Sequence, residues 1–536
     1  MFLLQPSVII LTLSFLSVFA FMKSGKVKTI PALSCLGFDK VSLAIANEWA
    51  PMQQRKNLFY QYRFEIFLFL AALFIRFPFF FRDYIDQDES TFILMGQSIS
   101  DGHLPYDFLW DLKPPLLFYF FALIEKIFPH SFFAIRLFGT IIVFLSALLL
   151  LKIVKQLRLR NGFLIAIGYV LLSSEFGSLQ GVMSEHFAVF FLLLGFLFFV
   201  KGKRNLDLFI SGIAFGCAVL CKLNYAYAIA ALFIYYFYAE RKNYKPAFQN
   251  LSLSFGGILI PVLLCAAPFL AKGKTELFFD SVFLAPMRYA RALQYNLLEK
   301  LKFTWWIILV VGVVSIWAIR RAEKENRSVV FYIVAILAGT TYTFFSSGIV
   351  NGHYLVQLYP FMLILFLGII FQQSFHPKLS IAALAIFLLS FESIGEYYRL
   401  GSGLKDPAEY RPTYEVIREL KKRKLDDDKI FFADYHIGYW LLNQYPLTKS
   451  TTHPSNLGRP FLFEYYNDSN KTSLAELKHI MDDIKPAVVV SDGDDLDFFD
   501  DNSTENKYFK KELSQDFEMV YKDTVDRIYI WERENK

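Results

Sequence analysis

The sequence predicts an α-helical protein that crosses a membrane many times and carries a small α/β domain at its C-terminal end. Three observations predict it. Hydrophobic residues fill 55% of the 536 positions, with 60 Phe and 30 Tyr and a mean hydropathy of +0.37, where soluble domains hold roughly 45–50% apolar residues. These residues fall in blocks of the ~17–25 positions that a spanning helix needs. From about Tyr410 onward charge rises, and the β-rich runs "KIFFADY" (Lys429–Tyr435), "PAVVVSD" (Pro486–Asp492) and "DRIYIWER" (Asp526–Arg533) predict strands that alternate with helical stretches. A transmembrane barrel would show ~10-residue alternating segments, and the sequence has none.

Taken in order, Met1–Met22 is apolar, but no basic residue precedes it as a signal peptide requires. Residues 1–58 are left unassigned, as an extra helix or as a stretch upstream of a natural beginning near Met52. From Phe64 the apolar blocks predict helices at 64–81, 132–151, 162–177, 186–200, 206–221, 224–239, 251–270, 304–319, 329–347, 354–372 and 379–395. Between 81 and 131, "STFILMGQSI" and the proline-started "PPLLFYFFALIEKIF" predict two helices lying in the outer interface. The domain boundaries expected are 1–58, 59–395 for the membrane domain and 396–536 for the α/β domain.

Basic loops set the orientation. "KIVKQLRLR" (Lys152–Arg160), "KGKR" (Lys201–Arg204), "ERKNYK" (Glu240–Lys245) and "RRAEKENR" (Arg320–Arg327) all fall on one face, which the positive-inside rule assigns to the cytoplasm. Residues 82–131, 178–185, 272–303, 346–353 and everything after about Glu396 then lie outside. The net charge of +6 reads as topology, and no nucleic-acid partner is expected. The four cysteines lack metal-type spacing and predict no disulfide framework.

Against this background a few charges stand out. "FRDYIDQDESTF" (Phe81–Phe92) places Asp83, Asp86, Asp88 and Glu89 at the mouth of the first clear span. "DFLWDLKPP" (Asp107–Pro115) returns a cation, Lys113, to the same mouth. A carboxylate there can accept a proton from a hydroxyl, and an ammonium can hold a phosphate as a point charge. The plainer reading, acidic residues marking an outer loop, is the expectation for Asp83 and Asp86; for Asp88 and Glu89 both readings stand. Glu185 opens the span at 186–200, as a helix-start carboxylate or as a site acid; His186 reads as a satisfied polar neighbour. Lys222 interrupts an apolar run, where an ionisable group costs ~2.5–3.5 kcal/mol at a helix centre, so either it works there or it snorkels to the boundary. Arg288 and Arg291 share a helix face on the outer side, as phosphate clamps or as part of a solvated helix. His353 and Tyr354 open the late helix at 354–372, and Tyr354 also fits an interfacial aromatic belt. "SDGDDLDFFDD" (Ser491–Asp501) does not fit an EF-hand loop and reads as solvated.

The stretch "DE" followed by "ISDGHLPYDFLWDLKPP" (Ile99–Pro115) resembles the first outer loop of bacterial GT-C glycosyltransferases, the protein mannosyltransferase and lipid A aminoarabinose transferase group. The resemblance implies an inverting transferase of the bacterial inner membrane. It implies a polyprenyl-phosphate sugar as donor, a lipid, glycan or protein as acceptor, and the outer face as the place of reaction. Residue by residue it implies that Asp88 is the catalytic base, with Glu89 beside it and Glu185 as a second acid. Lys113, Lys222, His353 and Tyr354 are implied to face the donor phosphate. Members of the group carry an Asp-Pro near the second acid, where this chain has Ser184-Glu185-His186. No cofactor is certain; Asp88 and Glu185 would permit a divalent metal. The competing class is a transporter or flippase of a lipid-linked envelope precursor. Such folds tend to show matched halves with broken helices, and this sequence shows none.

Overall fold

The computed structural model describes residues 62–202, 204–292, 295–347, 350–371, 392–403, 411–466, 469–524 and 527–534. The expected N-terminal segment 1–58 lies outside them, as does the expected span 379–395 up to residue 391. The chain divides at residue 67. Of the first unit the described residues are the opening turn of the helix Arg63–Arg76; everything below concerns the second, Leu68–Lys536.

Six described helices are long and apolar enough to cross a membrane: Arg63–Phe81, Phe132–Gln156, Ser184–Lys201, Arg241–Ala271, Leu297–Arg321 and Arg327–Ser347. Four more apolar helices are shorter, at Gly162–Leu172, Asn205–Cys221, Tyr225–Ala239 and Tyr359–Ile370. The protein is therefore a helical membrane protein with a small sheet near its C-terminus. The helix expected at 162–177 stops at Leu172. The reason is Arg76, fully buried, whose guanidinium donates to the carbonyls of Leu179 at 2.7 Å and Gly181 at 2.6 Å, and whose Nε donates to the Thr140 hydroxyl at 3.2 Å. Backbone groups left without helical partners must be satisfied when buried, and Arg76 does so for Leu179 and Gly181 in the loop after Ser173.

The helices Asn205–Cys221 and Tyr244–Ala271 touch through glycine. A Cβ on Gly212 would lie 1.9 Å from the Ser254 carbonyl oxygen, and one on Gly257 would lie 2.2 Å from that of Phe209. Small residues allow this close backbone approach between membrane helices. Gly212→Val is therefore expected to separate Asn205–Cys221 from the helix through Ser254, at roughly 1–3 kcal/mol or more of overpacking, read as a lowered melting temperature in detergent.

The two helices expected between residues 81 and 131 form at Gln87–Ser100 and Pro115–Ile127. Asp86 caps the first, its Oδ1 accepting from Asp88 N at 2.8 Å. Pro115 starts the second at the position where its missing N–H is no loss. They pack so closely that a Cβ on Gly96 would meet Phe121 Cβ at 2.7 Å.

The C-terminal part of the chain, from the helix Pro412–Arg423 onward, holds a four-stranded sheet. Its strands are β1 (Ile430–Phe432), β2 (Val488–Ser491), β3 (Phe517–Asp523) and β4 (Ile528–Arg533), in the order β1-β2-β4-β3. β1 and β2 run parallel; β4 is antiparallel to both β2 and β3. β1, β2 and β4 are the expected strands. β3 was not expected: it is an edge strand with mostly exposed or half-buried side chains, so it lacks a clear two-residue hydrophobic period.

Asp83 is the first correction to the loop reading. It is buried at 1% exposure, and its Oδ2 accepts from Tyr414 N at 2.9 Å, anchoring the helix Pro412–Arg423. Its Oδ1 has no hydrogen-bond partner among the described residues. Burial pushes its carboxyl up to about 6. Between the ordinary carboxylate value near ~3.9 and about 6, the folded chain holds a proton that the unfolded chain releases, so stability falls as pH rises through that window. Asp83→Asn keeps the acceptor and removes the charge. It is expected to raise stability by roughly 1–3 kcal/mol at pH 7.5 and by little at pH 4, checked by melting both proteins at the two pH values.

Candidate active site

The site is built where helix ends meet. Asp88 sits in the first turn of Gln87–Ser100, where a carboxylate is favoured by the helix dipole. Lys113 lies just before Pro114 and Pro115. Its backbone is fixed on both sides: Lys113 N donates to Asp111 Oδ2 at 3.1 Å, and its carbonyl accepts from the Tyr106 hydroxyl at 2.7 Å. Tyr106 is fully buried with φ of 67°, a left-handed conformation held by its surroundings. So fixed, Lys113 Nζ reaches both oxygens of Asp88, at 3.1 and 3.2 Å. The side chains are 20% and 18% exposed, sheltered but reachable.

A second pair stands at the ends of neighbouring spans. Glu185, fully buried at the start of Ser184–Lys201, is ion-paired with Lys222, the residue that caps the C-terminus of Asn205–Cys221. Lys222 is thus held by a carboxylate inside the protein and does not snorkel. Its Nζ lies 4.1 Å from the centre of the Tyr354 ring. His353 stacks edge-on to Tyr354, and its Nε2 stands 3.8 Å from Glu185 Oε1, an ion-pair distance and not a hydrogen bond. The two pairs share a field: the Asp88 carboxylate acts on Glu185 and Lys222, and the Lys113 ammonium acts on Lys222.

Burial works against ionisation of Asp88, but the Lys113 ammonium and the hydrogen bond from His453 hold its carboxyl well below the usual carboxylate range. Lys113 is pushed up by Asp88 and Asp111 against the opposing effect of burial. The site therefore presents an ionised carboxylate and a firm cation side by side.

Residues 112–271 match the model of the dolichyl-phosphate-mannose-protein mannosyltransferase family. The resemblance expected from the first loop holds over this stretch, which includes Lys113, Glu185 and Lys222. The match supports a membrane glycosyltransferase of the GT-C type, and that family points to a lipid-phosphate-linked sugar donor. No curated protein matches the chain.

Among the residues singled out from sequence, Asp88, Lys113, Glu185, Lys222, His353 and Tyr354 come together. Glu89 and Arg288 do not. Glu89, 1% exposed, turns the other way and forms a buried pair with Arg136, with Nη2 to Oε2 at 2.8 Å, while Oε1 accepts from Val182 N at 2.8 Å. It ties the helix Gln87–Ser100 to Arg136 and to the loop before Ser184–Lys201, and points away from Asp88's partners. Arg288 is half exposed and lies 3.8 Å from Glu464. His186 is satisfied, accepting from Met183 N at Nδ1 and facing the Ser173 carbonyl at Nε2. Among the described residues no group of three His, Cys, Asp or Glu side chains is placed to hold a metal ion.

Sequence reasoning missed His453. Its Nε2 lies 3.2 Å from Asp88 Oδ1, although 365 positions separate the two. Its stretch, "TTHPSN", carries no pattern that marks a site. It missed Arg136 also, an arginine near the start of a span whose partner could not be guessed.

Proposed function

We propose that the protein transfers a sugar from a polyprenyl-phosphate donor to a hydroxyl or amine of a lipid, glycan or protein acceptor, with inversion at the anomeric carbon. The observation that carries this is the sheltered Asp88 carboxylate held bidentately by Lys113, beside a second cation, Lys222, at the ends of membrane helices.

In the reaction the donor enters from the bilayer, and Lys113, Lys222 and Tyr354 receive its phosphate. His353 adds a further donor. The acceptor oxygen or nitrogen attacks the anomeric carbon from the side opposite the phosphate. The bond from that carbon to the phosphate oxygen breaks, and the electron pair leaves with polyprenyl phosphate. The acceptor's proton goes to Asp88. Charge accumulates on the leaving phosphate, where the two ammonium groups stabilise it most. Glu185 sets Lys222 in place. All of this lies on the periplasmic side in our reading. The support is the charge pattern: Lys201 and Arg204 pair with Asp207 at the far end of the spans that carry Glu185 and Lys222, as the positive-inside rule asks of a cytoplasmic end.

The test is direct. Purified protein in nanodiscs, given a polyprenyl-phosphate sugar and an envelope extract, is expected to release polyprenyl phosphate with transfer of the sugar. Absence of release across a panel of such donors would refute the proposal. Lys222→Met is expected to raise the donor KM and lower kcat together, because the cation meets the phosphate in both ground and transition state.

A further inference from the structure

The segment 449–466 of the C-terminal domain does more than pack against the membrane domain. Thr452 Oγ1 accepts from Trp110 N at 3.3 Å, and Asn456 Nδ2 donates to the Trp110 carbonyl at 3.4 Å. Tyr466 lies against the Trp110 ring, with centroids 4.4 Å apart. On the other flank, Thr91 Oγ1 meets His436 Nε2 at 3.1 Å and the Thr452 carbonyl at 3.4 Å. The segment therefore holds both elements that carry the pair, the helix of Asp88 and the loop of Lys113. Between these two anchors, His453 is aimed at Asp88.

The tautomer of His453 follows from its other nitrogen. Nδ1 accepts from Ser455 N at 3.2 Å and lies 2.9 Å from Ser455 Oγ. A backbone N–H can only donate, so Nδ1 carries no proton and Nε2 does. Nε2–H then donates to Asp88 Oδ1. Oδ1 receives two donors, His453 and Lys113, while Oδ2 receives Lys113 alone.

We propose that His453, supplied by the C-terminal domain, is a positioning residue for the transfer: it fixes the Asp88 carboxylate through Oδ1 and leaves Oδ2 turned to the acceptor. The inference rests on Asp88 being the base. It gives the C-terminal domain a part in the chemistry itself, as the supplier of one side of the catalytic carboxylate's shell.

Two measurements on the full-length protein test it. In polyprenyl-phosphate sugar turnover, His453→Leu removes the donor at similar volume. It is expected to lower kcat roughly 10²-fold, the scale of a misplaced reacting group, with the donor KM little changed. His453→Gln, whose amide N–H reaches the same point, is expected to recover most of that loss. A filler role alone would leave Gln and Leu alike. The second readout needs no turnover. In protein labelled with ¹⁵N-histidine, the resonance lost in His453→Gln is expected to show an unprotonated Nδ1 and a protonated Nε2 that shifts in Asp88→Asn. An Nδ1–H tautomer, no response to Asp88→Asn, or equal kcat in His453→Leu and wild type would overturn the proposal. A wild type that turns over no donor would sink the functional reading, while the imidazole spectrum still decides the bond to Asp88.

Discussion

Asp88→Asn is expected to lower kcat for sugar transfer by roughly 10²–10⁴-fold, the usual contribution of a positioned general base. The amide has the same shape and cannot take the acceptor's proton. It also releases Lys113 from a bidentate ion pair, so a donor phosphate meets a freer cation. The donor KM is therefore expected to stay level or fall. Steady-state kinetics with a polyprenyl-phosphate sugar separate the two parameters. A kcat equal to wild type would remove Asp88 from the role of base. So would a loss of activity that lies wholly in a raised KM, since that marks ground-state binding.

The second large effect is on the fold. Arg136→Met removes the partner of Glu89 in a pair whose side chains are 0% and 2% exposed. Breaking a buried pair on one side costs roughly 3–5 kcal/mol, because the remaining charge is left in a poor medium. Arg136 also donates to the Phe79 and Arg82 carbonyls, so the turn that leads into the acidic loop loses its support too. The variant is expected to melt well below wild type in detergent. Adding Glu89→Leu should recover part of the loss, although Val182 N then lacks its acceptor. If the double variant is no more stable than Arg136→Met, the uncompensated Glu89 charge is not the cause.

Most of the fold was legible because membrane helices advertise themselves as uninterrupted apolar blocks. The departures have local causes. The helix after Gly162 ends early since Arg76 reaches across to the following loop, a contact no periodicity can report. β3 is exposed along most of its length. At the site, Lys222 and Glu185 stood out as charges where charge is costly, and Lys113 through its two prolines. Glu89 misled because it follows Asp88 in sequence. On a helix of 3.6 residues per turn, neighbours point about 100° apart, and that rotation separates Asp88 from the buried Glu89. In sequence Asp83 looks like a loop residue, yet it anchors the helix Pro412–Arg423. His453 was out of reach of any local pattern, since its meaning comes from a contact across 365 positions.

That contact has a consequence for how the protein is made. The ribosome completes every described span long before it reaches residue 453. A nascent or prematurely terminated chain can thus hold every described membrane helix, and both Lys113 and Lys222, while Asp88 still lacks its histidine. Under the proposed mechanism, full competence arrives with the last fifth of the polypeptide. If Asp88 is the base, an unfinished copy would hold the described spans without the residue proposed to position it.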